Sequence, residues 1–375
     1  MTDNSSLLSC VENTMHEHKL ASPDSAVLLM VSGGSDSTAL AYLACELSEK
    51  KAIGSLGMLH VNHQIRGEDA NNDQRFVEQL AEVLDIPLFM CEIDIPAEVK
   101  RTGENEEAVA RRERYLAANE ALDSLCRHTA TPLAEGRIFT AHTQDDRVEN
   151  FYMRSIVGTG PGGFRSMLYE NGPIARPLLD VSREDLRTYI LRREKSSQIT
   201  VCDAQGNLWR EDATNAHTDK FRAFVRHEIV TRAKKRNPQL LETLTRTMNL
   251  IADEDDMIEE MIDGMESKYV SWLETAQGVD PDYQEGCILS PLLIESAKPL
   301  QRRLCMRILQ KILGVDARIE TASIDRILAG FVGGKVNSGY TNNIQGDLAV
   351  SANKKGVRIE PMSIYRSRRK KSKGV

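Results

Sequence analysis

The chain has 375 residues, 41% hydrophobic and 27% charged, which fits a soluble globular protein of two or three domains with ample core. Its 48 Lys and Arg against 55 Asp and Glu leave a net charge of −7, which speaks against wholesale nucleic-acid binding. No apolar run reaches membrane-span length, the polar and acidic opening argues against a secretory signal, and seven scattered cysteines without a CxxC pair argue against disulfide, zinc or iron–sulfur frameworks and for a reducing cytoplasm.

The first half of the chain alternates strand-like and helix-like segments. Ala26–Ser32 is a short apolar run ending in a glycine turn, as a buried parallel strand would. Thr38–Ser48 carries Ala39, Leu40, Leu43, Ala44 and Leu47 at helical spacing. Ser55–Asn62 is the next expected strand, and Asp73–Leu84 the next helix, with Phe76, Leu80 and Leu84 on one stripe. Leu88–Ile93 is a third strand. Glu106–Leu125 is a helix with Tyr115, Ala118, Leu122 and Leu125 on one face. Arg137–His142 is a strand, Gln144–Val157 a helix, and Ala175–Leu179 a short strand. Ser182 with Asp185 three residues on resembles a capping box opening another helix. This alternation predicts a parallel sheet covered on both faces.

Beyond about residue 220 the pattern becomes mainly helical. Leu244, Met248, Ile251, Ile258, Ile262 and Met265 form one stripe, and Leu300, Leu304, Ile308 and Ile312 another. Gly346–Ile359 alternates weakly, as a small hairpin would. Two basic stretches stand out on this acidic chain, one over Arg222–Arg236 and one from Arg366 to Lys373. A solvated helix face and a tail are the competing readings of these runs.

The chemistry concentrates in Val27-Leu-Leu-Met-Val-Ser-Gly-Gly-Ser-Asp-Ser-Thr38. A strand, a glycine turn and a helix start follow one another. Gly33 and Gly34 let the main chain approach a ligand closely. Ser32, Ser35, Ser37 and Thr38 offer hydroxyls, and the first amides of the helix point at the same spot. Together they make a site for a phosphate-type anion. It is neither a Walker loop nor a dinucleotide fingerprint, since Gly-Lys-Ser/Thr and GxGxxG are both absent.

Ser32-Gly-Gly-Ser-Asp-Ser37 resembles the PP-loop of the N-type ATP pyrophosphatases. Members of that superfamily split ATP into AMP and pyrophosphate and adenylate a carbonyl oxygen. Further motifs narrow the resemblance. They are His60-Val-Asn-His63 with Ile65-Arg-Gly67, Glu107-Ala-Val-Ala-Arg111 through Arg114-Tyr115, and His142-Thr-Gln-Asp145-Asp146-Arg-Val-Glu149. Gly158-Thr-Gly160, Arg176-Pro-Leu-Leu179, Asp212-Ala-Thr-Asn215, Arg222 and Arg226-His227 follow. In this order they resemble the tRNA(Ile)-lysidine synthase family, strongly over residues 25–230 and weakly beyond.

That resemblance implies a Rossmann-like α/β adenylation domain over residues 1–220. A helical tRNA-binding domain over 221–345 and a short segment with a basic tail over 346–375 would follow. It implies adenylation of the wobble cytidine of an isoleucine tRNA with a CAU anticodon, then attack by free L-lysine at C2 to give lysidine. ATP would be bound by Ser32, Gly33, Gly34, Ser35, Asp36, Ser37 and His60. Mg²⁺ is expected with the phosphates, with Asp36 its one candidate protein ligand and a helix cap the competing reading of that residue.

Asp36, Asp146 and Glu149 are the expected catalytic carboxylates. Asp146 and Glu149 share a helix face with the spacing an ammonium substrate suits, and Arg111 suits the substrate's carboxylate or a phosphate. Arg66, Arg114, Arg222, Arg226 and His227 are expected tRNA contacts. His142 falls at the sheet's carboxyl edge, where ligands bind, though a satisfied core histidine is nearly as good a reading. The expected partners are therefore the tRNA and lysine, with no membrane, in the cytoplasm; a homodimer is among the assemblies this reading allows.

Three departures from the family pattern bear on tRNA recognition. Asn150 stands where the family often has threonine. Arg222-Ala-Phe-Val-Arg226 lacks the usual asparagine. The extra C-terminal domain of longer members is not evident here. The basic tail offers sequence-blind phosphate attraction instead. A tRNA cytidine thiolase is the alternative in the same superfamily, and paired CxxC cysteines would mark it. A non-catalytic RNA-binding protein on the same fold is the alternative outside it.

Overall fold

The structure is a computed structural model that describes residues 4–63, 67–211, 221–273, 283–314 and 317–371. Arg66 and the Asp212–Asn215 motif lie outside the described residues. The chain divides into two compact units, Met1–Ala252 and Asp253–Val375. The sequence reading sets its first boundary at residues 220 and 221, inside the first of these units.

In the first unit α1 (Asn4–Glu17) precedes β1 (Ala26–Met30), α2 (Ser35–Glu49), β2 (Leu56–Asn62), α3 (Glu68–Val83), β3 (Leu88–Glu92), α4 (Ile95–Thr102) and α5 (Glu106–His128). Then come β4 (Gly136–Phe139), α6 (Gln144–Val157), β5 (Glu170–Asn171), β6 (Ile174–Ala175) and α7 (Arg183–Lys195). The six strands line up as β3, β2, β1, β4, β6, β5, with only β5 antiparallel to its neighbour. The expected α/β doubly covered sheet is thus present.

β1 shows why the run Ala-Val-Leu-Leu-Met makes a central strand. Its residues alternate between two faces. Val27 and Leu29 join a core with Leu40, Leu43, Phe76, Leu80 and Leu186. Ala26 and Leu28 join the opposite core with Ala118, Leu122 and Leu125 of α5. Both faces are buried, so the strand reads as continuously apolar rather than alternating.

Several expected boundaries move, among them the start of α3, at Glu68 rather than Asp73, and the end of β4, at Phe139 rather than His142. α2 begins at Ser35, so Ser35, Asp36 and Ser37 form its first turn rather than a loop before it. The strand expected over Ala175–Leu179 ends at Ala175. Pro177 has no N–H to donate to a ladder and biases the residue before it. The chain turns there and buries Leu178 and Leu179 instead.

The first unit closes with α8 (Phe221–Phe224), a π-helix over Val225–Val230 and α9 (Thr231–Arg236). This stretch packs Val225 and Val230 on Val148 of α6, together with Leu240 and Met248 of α10 (Leu240–Tyr269).

The second unit holds β7 (Val270–Trp272), β8 (Cys287–Leu289), α11 (Lys298–Leu313), α12 (Thr321–Leu328), β9 (Phe331–Val332) and β10 (Lys335–Val336). It ends with β11 (Thr341–Ile344), β12 (Leu348–Asn353), β13 (Gly356–Pro361) and α13 (Met362–Lys371). The helical region expected here is accompanied by an antiparallel five-stranded sheet in the order β11, β12, β13, β8, β7. The hairpin suspected over Gly346–Ile359 is its β12–β13 pair. Leu304, Ile308, Leu348, Val350, Val357 and Ile359 share one core. No helix among the described residues is long and apolar enough to cross a membrane.

Candidate active site

Sheet order dictates where a ligand can sit. β1 has β2 on one side and β4 on the other, all parallel, with Leu29 opposite both Met58 and Phe139. The chain therefore leaves the carboxyl ends of β1 and β4 side by side at a switch in strand order. That is where open α/β sheets open a crevice. The turn after β1 is Val31–Gly34, and the turn after β4 leads through His142 into α6.

The turn after β1 is held from within. Gly33 takes φ +89, a conformation that L side chains rarely adopt. The Ser32 amide donates to Ser37 Oγ at 3.2 Å, the two hydroxyls lie 3.1 Å apart, and Ser37 Oγ donates to the Gly34 carbonyl at 3.1 Å. Thr38 Oγ1 donates to the Gly33 carbonyl at 3.3 Å. Gly34 is the N-cap of α2 and has no side chain to cap with. The amides of the first turn, Ser35 to Ser37, have no partner within their helix and carry the positive end of its dipole. This is an anion cradle built from main chain.

Beside it stand the carboxylates. α6 opens with a capping box: Thr143 Oγ1 accepts from the Asp146 amide at 3.4 Å, and Asp146 Oδ2 accepts from the Thr143 amide at 2.9 Å. Glu149 follows one turn later on the same face, its side chain only 2% exposed. One guanidinium ties these acids to the loop. Arg183, the first residue of α7, donates from Nε to Asp36 Oδ2 at 3.0 Å and from Nη2 to Asp146 Oδ1 at 3.2 Å, and its Nη1 is 3.5 Å from Glu149 Oε1.

A family model described as the PP-loop domain matches residues 5–233. The chain belongs to the PP-loop family. This PP-loop protein is similar to curated relatives named tRNA(Ile)-lysidine synthase. The Geobacter sulfurreducens relative is 29% identical over 314 residues, covering 83% of this chain and 60% of the relative. That of Thermus thermophilus is 30% identical over 299 residues, covering 79% and 51%. That of Porphyromonas gingivalis is 34% identical over 244 residues, covering 64% and 48%. The chain thus spans between about half and three-fifths of the length of these relatives.

The electrostatics of the PP-loop site follow from this geometry. Burial lifts the Asp36 carboxyl above its ordinary value, with Arg183 opposing. Burial would also raise Asp146, but Arg183, His142 and the Thr143 amide outweigh it and hold Asp146 below the usual carboxylate range. Burial lowers His142 to about 4, with Asp146 opposing and Arg176, Arg222 and Arg111 assisting, so its imidazole is neutral at pH 7. Its Nδ1 lies 2.9 Å from Thr140 Oγ1. Burial likewise lowers His60. His60 Nδ1 sits 2.8 Å from the Val31 carbonyl, which can only accept, so Nδ1 carries the proton. His60 therefore props the loop from beneath.

The structure brings together Ser32 to Ser37, His60, Asp146 and Glu149. It also brings Arg222 and Arg226, expected at tRNA, onto the acids. Arg226 chelates Glu149, with Nη2 3.8 Å from Asp146, while Arg222 Nε lies 3.6 Å from Glu149 Oε2. His227 is exposed beside them. Arg111 lies over the Tyr115 ring, its guanidinium carbon 5.0 Å from the centroid, and Arg114 Nη2 lies 3.2 Å from His63 Nε2. These two sit on the α5 side of the site rather than on the acids. Asp36, a candidate cap, instead bonds Arg183 and accepts from Ser35 Oγ at 3.0 Å.

Asp145, visible in the sequence beside Asp146, is engaged by Lys234 Nζ at 2.6 Å and by the Arg183 amide at 2.9 Å. Sequence reasoning missed Arg210 and Arg183. Arg210 donates its amide to the Gly33 carbonyl at 2.8 Å and anchors its guanidinium on Asp73 and Asp203 at 2.9 and 2.8 Å. Arg183 itself left a trace in the sequence: a cation at the first position of a helix opposes the helix dipole. Asp36 at the start of α2, with Asp146 and Glu149 of α6, offsets that cost.

Among the described residues no group of three or more His, Cys, Asp or Glu is arranged to hold a metal ion. One carboxylate at the loop, Asp36, fits a Mg²⁺ that is held chiefly by phosphate oxygens and water. It does not fit a resident protein-only site.

Proposed function

We propose that this PP-loop protein ligates L-lysine to C2 of the wobble cytidine of an isoleucine tRNA with a CAU anticodon, at the expense of ATP. In the first step the cytidine carbonyl oxygen attacks the α-phosphorus of ATP and pyrophosphate leaves. In the second the lysine amine attacks C2, AMP leaves with the oxygen, and the amine gives up its proton. The observation that carries this reading is the single junction at Arg183, which joins a main-chain polyphosphate cradle to a buried pair of carboxylates. The similarity to lysidine synthases supports the same assignment.

The roles follow from the chemistry. Ser32 to Ser37 grip the phosphates with amides and hydroxyls. Mg²⁺, held by the phosphates and Asp36, would neutralise charge on the leaving pyrophosphate. Asp146, kept ionised, holds the lysine ammonium, and Glu149 on the same face accepts the proton. Both acids already carry arginines, so lysine must displace Arg226 and Arg222. Phosphates of the tRNA offer those arginines an alternative partner of the same chemistry. Arg111, Arg114 and His227 flank the acids as further contacts for lysine or RNA. The cytoplasm, where ATP, lysine and tRNA meet, is the setting this reaction needs.

The test is incubation with ATP, labelled lysine and bulk tRNA. Label retained on an isoleucine tRNA, with pyrophosphate release that needs both ATP and tRNA, is the expected result. Label on no tRNA would overturn the lysine assignment. Sulfur incorporated into a cytidine instead would favour a thiolase.

A further inference from the structure

The PP-loop has a charge problem. Ser32 to Thr38 contain no cation, and their only ionisable residue is the acid Asp36. Amides and a helix dipole carry partial charges, whereas a polyphosphate carries several whole ones. A Walker-type loop meets that need with its lysine. Here something outside the loop must do so.

Resting on the function proposed above, we infer that Arg183 and Arg187 of α7 form the cationic half of the polyphosphate cradle, binding the pyrophosphate portion of ATP. The two are four residues apart and so share one helix face. Arg183 Nε lies 3.0 Å from Asp36 Oδ2 in the first turn of α2. Arg187 Nε lies 3.4 Å from Ser35 Oγ in the same turn. Both guanidinium groups therefore reach the helix start whose amides face the anion.

Their present partners leave room for this role. Arg187 rests over the Trp209 ring, its guanidinium carbon 5.7 Å from the centroid, and its ion pair with Glu211 is long at 4.0 Å between exposed side chains. The stack fixes the plane of the fork without using its donors. Arg183 is shared among three acids, and its contacts lengthen from 3.0 Å at Asp36 to 3.5 Å at Glu149. A polyanion arriving at the loop offers it paired oxygens that suit a fork. The competing view is that Arg183 only neutralises acids and Arg187 only covers Trp209.

Titration calorimetry on the whole chain separates the two views, with Mg²⁺-pyrophosphate and AMP as separate probes. Arg187→Gln, a partly exposed position, is expected to keep the wild-type unfolding midpoint. It should weaken pyrophosphate binding at least tenfold and AMP binding less than twofold. Arg183→Lys should retain more pyrophosphate affinity than Arg183→Gln. Wild-type pyrophosphate affinity in Arg187→Gln, or equal loss of pyrophosphate and AMP, overturns the inference and leaves the proposed function standing. A wild-type protein that binds neither pyrophosphate nor ATP overturns both.

Discussion

Arg226 lies along Glu149 as a two-pronged pair, Nε 2.6 Å from Oε1 and Nη2 3.0 Å from Oε2. The carboxylate is 2% exposed and the arginine side chain 25% exposed. Removing Arg226 leaves this desolvated carboxylate with only the longer contacts of Arg183 at 3.5 Å and Arg222 at 3.6 Å, and an under-compensated buried charge costs far more than the pair contributes. Arg226→Ala should therefore lower stability by about 2–4 kcal/mol in urea unfolding. Adding Glu149→Gln should recover part of the loss, and a double-mutant cycle measures how much. A loss below about 0.5 kcal/mol, as at an ordinary surface site, would show that Glu149 does not depend on this arginine.

Asp36 carries a sharper functional prediction. Asp36→Asn keeps the shape and relieves the burial of a charge, but it removes the one acid of the loop. Pyrophosphate release should fall by about 100-fold or more. Binding of tRNA, measured by filter retention, should stay within about twofold, because phosphate contacts elsewhere supply it. Turnover at the wild-type rate would remove Asp36 from the reaction.

His142 predicts a pH dependence. Its folded pKa of about 4 lies below the ordinary histidine value of 6.5. As pH falls through that interval the unfolded chain takes up a proton that the folded chain does not. The contribution of His142 to stability is thus complete above pH 6.5 and declines toward pH 4. The decline amounts to on the order of 3 kcal/mol. His142→Gln should flatten that part of the stability–pH curve relative to wild type. Parallel curves for the two proteins would contradict the assignment.

Gly33 and Gly34 are adjacent but unequal. At Gly33 a side chain meets φ +89 and a Cβ only 3.3 Å from Arg210 Cγ. At Gly34 φ is −68, and a Cβ would find Ser32 Oγ at 3.6 Å, an ordinary contact. Gly33→Ala should cost roughly 1–2 kcal/mol from backbone strain alone. Gly34→Ala should cost under about 1 kcal/mol, the loss of a good N-cap residue. Thermal unfolding of the two variants side by side checks the order.

The legible parts of this protein are those written locally. The strand-turn-helix of residues 26 to 49, the matching bounds of α6, and the alternation of strands and helices follow from apolar spacing and glycine placement. What escaped was set by distant pairing. α1 and α4 were not anticipated, nor was the sheet of the second unit beyond its β12–β13 hairpin, since three-residue strands such as Cys287–Leu289 pair across the fold and carry too few residues for a period. Arg183 meets Asp36 across 147 residues of sequence, and no local pattern announces such a meeting. Arg222 and Arg226 were visible as charges, but their attachment to Glu149 depends on how α6 packs against the π-helix.

That π-helix has one more consequence. Arg226, inside it, reaches Glu149, and Lys234, eight positions later in α9, reaches the neighbouring Asp145. The wide turn at Val225–Val230 sets the angular phase between the two cations. Excising a single residue there would turn everything downstream by about 100° and draw it back by about 1.5 Å. Lys234 would swing off its carboxylate while Arg222, upstream, stayed where it is. In this stretch the count of residues matters as well as their identity.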